Sequence, residues 1–408
     1  MAKLAPASHA VPILAWARSP VAPTGGALGQ LHSHEIGAPL LQSLLAQTGL
    51  PPQAIDAVVL GNALGAGGNP ARMLALAAGL PDSCAAHSID TQCCSGLDAI
   101  AMAVGLLQSG QAQIVIAGGA EAWSRAPIRQ TRPRHTDELP QSYERPPFAP
   151  DAARDPDMLQ SAADYAHQHG LSREVQERYA LQSHNRAVAA QQSLRAEITP
   201  VAGLDHDSYP RTLTASRAAR MPIVAHSEAD EKGELYGLSA LTISAKADGA
   251  ALLLLATPEA CAQWQLQARA QWLASASVGA APETPMLAAI AATQKLLQRG
   301  AQSLEQLQQS ELSAHDLSAI ELHDAFAVQG LAFCEALGLQ PEQINTQGGG
   351  LARGHPIGAS GAIALVRCLA QLQSAAQPGD LGLAAIAGAG GIGAATLVQW
   401  LDAKARAL

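Results

Sequence analysis

The sequence predicts an α/β protein in which parallel strands are covered by helices on both faces, laid out twice along the chain. Three observations predict it. Strand-like and helix-like segments alternate over about the first 125 residues. Nearly half of the chain is apolar while aromatics are only 3%, so the core is built from Ala, Leu, Val and Ile, which suits helices on a sheet better than an all-β sandwich. Finally, "CCSGLDAIAMAVGLLQSGQAQIVIAGGAE" is echoed by "GASGAIALVRCLAQLQSAAQPGDLGLAAIAGAGG": a Ser-Gly pair opens an apolar helix that leads to a strand ending in glycines. "IDAVVLGNA" and "LSAIELHDA" repeat in the same order.

In chain order, "HEIGAPLLQSLLAQTGL" has helical spacing and stops at Gly49. "IDAVVLGNAL" reads as a buried strand, "PARMLALAAGL" as a helix, and "SIDTQ" as a short strand. "SGLDAIAMAVGLLQSG" is a helix and "AQIVIAGGAE" an apolar strand. From Trp123 to Lys246 the texture changes to a polar, Pro-rich excursion, followed by one long helical pattern over 172–197 with Ser172 as its N-cap. This block reads as an insertion over the first lobe. The alternation then resumes to the end, where "AATLVQW" is a strand.

A formal charge of -9 and a pI near 5.8 argue against nucleic acid or an anionic membrane as the main partner. No apolar run approaches the ~20 residues that span a bilayer, and the N-terminus does not read as a signal peptide. Six cysteines without a C-x-x-C pair do not form a disulfide framework, which predicts a reducing, cytoplasmic location. No metal site is predicted, and His167 and His169 read as a solvated helix face.

The chemistry-bearing residues cluster at helix starts. Cys93 lies where a strand gives way to a helix, and the positive helix end is expected to lower its pKa and make it an acyl-accepting nucleophile. The alternative is a small buried hydrophobe, which is how Cys94, Cys334 and Cys368 read. His355 sits in the glycine-rich "NTQGGGLARGHPIGASGAIAL", whose following helix echoes the one behind Cys93. Two such helix starts facing across a pseudo-twofold axis put His355 opposite Cys93 as a base. His323 follows the strand "LSAIEL", and Asp324 reads as the cap of the next helix. "AGAGGIG" fits a dinucleotide fingerprint only nominally, with no room after it for a helix, strand and acidic partner.

Together "GNALGAGGNPARMLALAAGLP", "IDTQCCSGLDAI", "AGGAEAWSRAP", "REVQERYALQSHNRAVAA", "ADGAALLLL", "HDAF" and "GGGLARGHPIGASG" resemble the thiolase family, in its order and over nearly the whole chain. The resemblance implies a five-layered αβαβα fold from two βαβαβαββ halves with an inserted loop domain. The halves would be 1–122 with 247–270, and 271–408, with 123–246 as the loop domain. It also implies an acyltransferase of the kind found in fatty acid metabolism, working on coenzyme A thioesters with no permanently bound cofactor, as a homodimer or homotetramer. Cys93 would carry the acyl group and His355 activate it, with the backbone N–H groups of Cys93 and Ala389 holding the oxyanion. Ser244 and Met158 would contact coenzyme A.

Two departures stand out. Asn-Glu-Ala-Phe is replaced by His323-Asp324-Ala325-Phe326, and Cys-x-Gly by Ala387-Gly388-Ala389; the family's acid/base cysteine is thus missing at Ala387, and also at Ala325, where a relative class carries it in His-Asp-Cys-Phe. His323 is the first candidate to replace it. One cysteine with two histidines also resembles the site of the related β-ketoacyl synthases, which decarboxylate malonyl groups, so the alternative is a decarboxylative condensing enzyme or a simple acyltransferase in a biosynthetic pathway. A third reading is a non-catalytic subunit that binds acyl-CoA or scaffolds a partner subunit.

Overall fold

The computed structural model describes residues 10–401 except 66, 231, 233 and 306–311. Nine strands form one continuous sheet: β1 (Val11–Arg18), β2 (Ala57–Gly61), β3 (Ala85–Ile89), β4 (Ile114–Ala122), β5 (Ala247–Ala256), β6 (Ala270–Gly279), β7 (Leu317–His323), β8 (Leu381–Gly388) and β9 (Ile392–Trp400). Their order is β7-β8-β9-β6-β1-β5-β4-β2-β3, with the short strand Ala22–Pro23 paired to β5. In the first half β2 runs parallel to β3 and β4, and β5 antiparallel to β4 and β1. The second half repeats this: β7 is parallel to β8, while β9 is antiparallel to β8 and β6. The internal echo is therefore a repeat of topology, lacking only a counterpart of β3 among the described residues. The halves join where β1 meets β6, from Val11↔Trp272 to Ile13↔Ala270.

Strand composition follows from this layering. β1, β4, β5 and β8 are buried along their full length, as expected of strands covered on both faces. Alternate side chains go to different cores: Val115 and Ala117 inward, Ile114 and Ile116 outward. The inner core holds α3 (Ser95–Gln108) and the last helix, Ser360–Ala375, between the two halves. One outer core lies under α1 (Ser33–Thr48) and α2 (Pro70–Ala77), the other under the helices Ala288–Glu305 and Ala327–Leu337. These are the five layers. Gly49 ends α1 in a left-handed conformation at φ 70°, which a side chain would disfavour.

Between β4 and β5 lie α4 (Met158–Gln168) and α5 (Arg173–Ala189) among irregular segments. Ser172 caps α5, accepting a bond from the Val175 N–H at 3.3 Å. The helical pattern read over 172–197 is not one helix, because α5 stops at Ala189 and short turns follow at Gln191–Leu194 and Arg195–Glu197. The break turns Glu197 inward. There it accepts from Arg18 Nε at 2.5 Å and from Arg367 at 2.6 Å, while Arg18 also donates to Asp207 at 2.7 Å. All four side chains are buried, and they tie the block to β1 and to the last helix. His184 of α5 is fully buried against Tyr209, with neither ring nitrogen hydrogen-bonded among the described residues. Burial, with Arg211 nearby, pushes its pKa down to about 4. No helix among the described residues is long and apolar enough to cross a membrane.

Arg18→Ala should cost ~3–5 kcal/mol, because it leaves two buried carboxylates without that partner. Denaturant unfolding measures this, and a loss below ~1 kcal/mol would refute the tie. Since His184 binds a proton more weakly when folded, the unfolded chain takes up more protons below its ordinary pKa, and stability falls as pH drops from about 6.5 towards 4. His184→Phe should remove that contribution, so thermal unfolding of the variant gains on wild type across this window. Parallel pH curves for the two would rule it out.

Candidate active site

The site forms where β3 turns into α3. Gln92 takes a left-handed conformation at φ 52°, which a non-glycine residue adopts at a cost of roughly 1–2 kcal/mol. Local bonds hold it: the Gln92 N–H donates to Asp90 at 3.0 Å, the Ser95 hydroxyl to the Gln92 carbonyl at 2.5 Å, and the Thr91 hydroxyl to Asp98 at 2.6 Å. The turn leaves Cys93 partly exposed, while Cys94 points into the core with its sulfur near the carbonyls of Ile386 and Ile392.

His355 comes from the facing helix start. Its Nε2 lies 3.1 Å from Cys93 Sγ and its Nδ1 2.7 Å from the Ser360 hydroxyl. Ser360 donates its single proton to the Pro356 carbonyl at 3.0 Å, so it accepts from His355. His355 therefore carries its proton on Nδ1, and the free lone pair of Nε2 faces the thiol. Ser360 was not singled out in the sequence, although it stands five residues beyond His355 in the same motif.

The expected lowering of the thiol pKa is overturned. Burial pushes Cys93 up to about 12, outweighing the backbone N–H groups of Ala389 and of Cys93 itself, which point at the sulfur and pull the other way. Burial likewise pushes His355 down to about 4. At neutral pH the pair at rest is thus thiol and neutral imidazole. The two N–H groups converge beside the sulfur.

His323 ends β7, 4% exposed, with its ring stacked on His355 at 4.3 Å between centroids. Its Nε2 has no hydrogen-bond partner among the described residues. Burial first, then His355 and Arg353, hold its pKa well below the ordinary value. Ala325 and Ala387 carry only methyl groups, so the arrangement offers imidazoles where a second thiol was sought. Asp324 does not cap the following helix, whose N-cap is Phe326. It is drawn inward, accepting from Tyr179 of α5 at 2.9 Å and from the Leu351 N–H at 3.3 Å, and burial raises its pKa to about 6.

Ser244 lies at the same cluster, its N–H donating to the Ala325 carbonyl at 2.8 Å and its hydroxyl to the Gly350 carbonyl at 2.7 Å. Ser244 thus braces the two loops, the one after His323 through its N–H and the one before His355 through its hydroxyl. Met158, partly buried, opens α4 after its N-cap Asp157 and makes no bond to the cluster. His167 meets Tyr236 edge-on, and His169 stacks on Tyr165. Among the described residues no group of three or more His, Cys, Asp or Glu could hold a metal ion.

Comparison with known proteins agrees with this frame. Residues 11–259 match the thiolase N-terminal domain and residues 266–400 the thiolase C-terminal domain. The chain is 32% identical over 376 residues to the Staphylococcus aureus (strain COL) protein named "Probable acetyl-CoA acyltransferase", covering 89% of this chain and 92% of that one. The crystal structure of a Bacillus anthracis acetyl-CoA acetyltransferase superposes with a TM-score of 0.86 at 30% identity, covering 97% of this chain and all of that one. An Ascaris suum thiolase in complex with coenzyme A gives 0.84 at 28%, covering 96% and 100%. A doubled α/β frame that brings a cysteine and a histidine together at two helix starts, matched along almost its whole length by both thiolase domains, makes this chain a member of the thiolase family and an acyltransferase.

Proposed function

We propose that the protein transfers acyl groups between coenzyme A thioesters through an acyl-Cys93 intermediate, forming or cleaving a 3-oxoacyl thioester. The observation that carries this reading is the 3.1 Å approach of His355 Nε2, with its lone pair free, to Cys93 Sγ. The thiol proton passes to Nε2 as sulfur attacks the thioester carbonyl. The N–H groups of Cys93 and Ala389 hold the oxyanion, each such donor being worth ~3–4 kcal/mol. Collapse expels the coenzyme A thiolate, which takes the proton from His355.

The carbon–carbon step requires a carbanion. His323, stacked on His355, replaces the missing cysteine and takes the α-proton of the second thioester. A second reading has support of its own: burial makes His323 a weak base, and a decarboxylating route needs no base, only a neutral imidazole to donate to the carbonyl. The family resemblance supports Ser244 and Met158 as the residues that would contact coenzyme A. Assembly as a homodimer is supported by β3, which ends the sheet as an edge strand with exposed side chains. Beside it, Met73 and Leu76 of α2 are each 45% exposed.

Incubation with acetyl-CoA should add ~42 Da to Cys93, and Cys93→Ala should abolish the adduct. Adding a second acetyl-CoA or malonyl-CoA, while following product and CO2, separates the two condensing readings. No adduct with acetyl-CoA or longer acyl-CoAs sinks acyl transfer altogether. For assembly, light scattering should give a mass of twice the chain or more, and Ser88→Pro in β3 should lower it; an unaltered mass would discard the edge-strand interface.

A further inference from the structure

Glu121 lies in β4, 1% exposed, with no ion-pair partner among the described residues. Burying a carboxylate without a cation is costly, so its surroundings must supply donors. Four converge on it. Oε1 accepts from Asn62 Nδ2 at 2.9 Å and from the Leu64 N–H at 3.3 Å. Oε2 accepts from the N–H groups of Ala63 at 2.9 Å and Gly358 at 3.0 Å. Three donors belong to the loop after β2. The fourth is in the turn that carries His355, two residues before Ser360.

The Gly358 peptide is held on its other side as well. Its carbonyl packs against Gly61 of β2, Gly119 of β4 and Gly96 in the first turn of α3. A methyl group on Gly96 would sit 2.9 Å from that oxygen, and one on Gly61 only 2.5 Å from the Gly96 nitrogen. One peptide thus touches the carboxylate through its N–H and the helix start behind Cys93 through its carbonyl.

We propose that Glu121 is the positioning residue of the Cys93–His355 pair: by clamping the Gly358 N–H to the loop after β2, it sets the turn that places His355 Nε2 against Cys93 Sγ. It touches neither reacting atom. The inference rests on the assignment of those two residues as the reacting pair. Gln at this position keeps the shape but turns one acceptor into a donor that faces backbone N–H groups. Loss of Asn62 Nδ2 removes one arm and leaves the carboxylate in place.

The test uses Glu121→Gln and Asn62→Ala in the full chain, with melting temperature, acylation by acetyl-CoA under rapid quench, and alkylation of Cys93 by iodoacetamide. Glu121→Gln should slow acylation about 10- to 100-fold with KM for acetyl-CoA within about threefold, and Asn62→Ala should slow it about 3- to 10-fold. Alkylation should fall in parallel, towards the rate of His355→Ala. Acylation and alkylation within about twofold of wild type, whatever the melting temperature does, overturn the proposal. If Glu121→Gln does not fold, Asn62→Ala decides alone. Should wild type take no acyl group, the functional assignment fails, while the alkylation series still tests the clamp.

Discussion

Two helix starts meet backbone to backbone, and the rest of the site depends on that meeting. α3 and the last helix both lie in the inner core, between the two half-sheets. Gly96 and Gly61 permit an approach of Gly358 that side chains would block. Close packing of this kind has little give, since protein interiors are as dense as organic crystals. Cys93 stands just before one helix and His355 just before the other, so the contact between the helices sets the distance between the residues. Side-chain bonds then refine it: Ser360 orients the imidazole, while Asp90, accepting from the Gln92 N–H, and Ser95, donating to the Gln92 carbonyl, hold the turn at Gln92.

Burial decides the electrostatics of the pair. A helix start favours a thiolate, but the desolvation of Cys93 outweighs it, and His355 loses basicity for the same reason. A neutral pair is compatible with nucleophilic chemistry because donors are already in place. The N–H groups of Cys93 and Ala389 already point at the sulfur, and donors held in place need no reorganisation when charge develops. Such a site remains neutral at rest.

The second imidazole changes the character of the pocket. His323 occupies the strand end beside His355 with its Nε2 unpartnered among the described residues. A methyl on Gly350 would come within 2.7 Å of the His323 ring, so this glycine makes room for it. Asp324 runs the other way, towards Tyr179, and couples the strand end to α5. The inserted block is thereby connected both to the site and, through Glu197 and Asp207, to the body of the fold.

Local patterns in the sequence were enough to reveal the alternating strands and helices, their repetition in two halves, and the facing positions of Cys93 and His355. Each of these rests on periodicity, glycine placement or motif spacing, which are properties of neighbouring residues. The motif around His355 was legible because Gly, Pro and Ser at fixed offsets are needed for its turn. Other features depend on residues far apart in the chain. Asp324 lies where a cap would lie, but its partner Tyr179 is 145 residues away. Glu121 ends an apolar run, a hint of a buried carboxylate, yet only the fold shows that its donors come from two separate loops. The break after Ala189 has the same origin, since Glu197 finds Arg18 and Arg367 across the molecule. Sequence alone singled out Cys93, His355 and His323 as the candidates for the chemistry. Tertiary structure decided their protonation and their supports, because desolvation and long-range hydrogen bonds exist only once distant segments have packed.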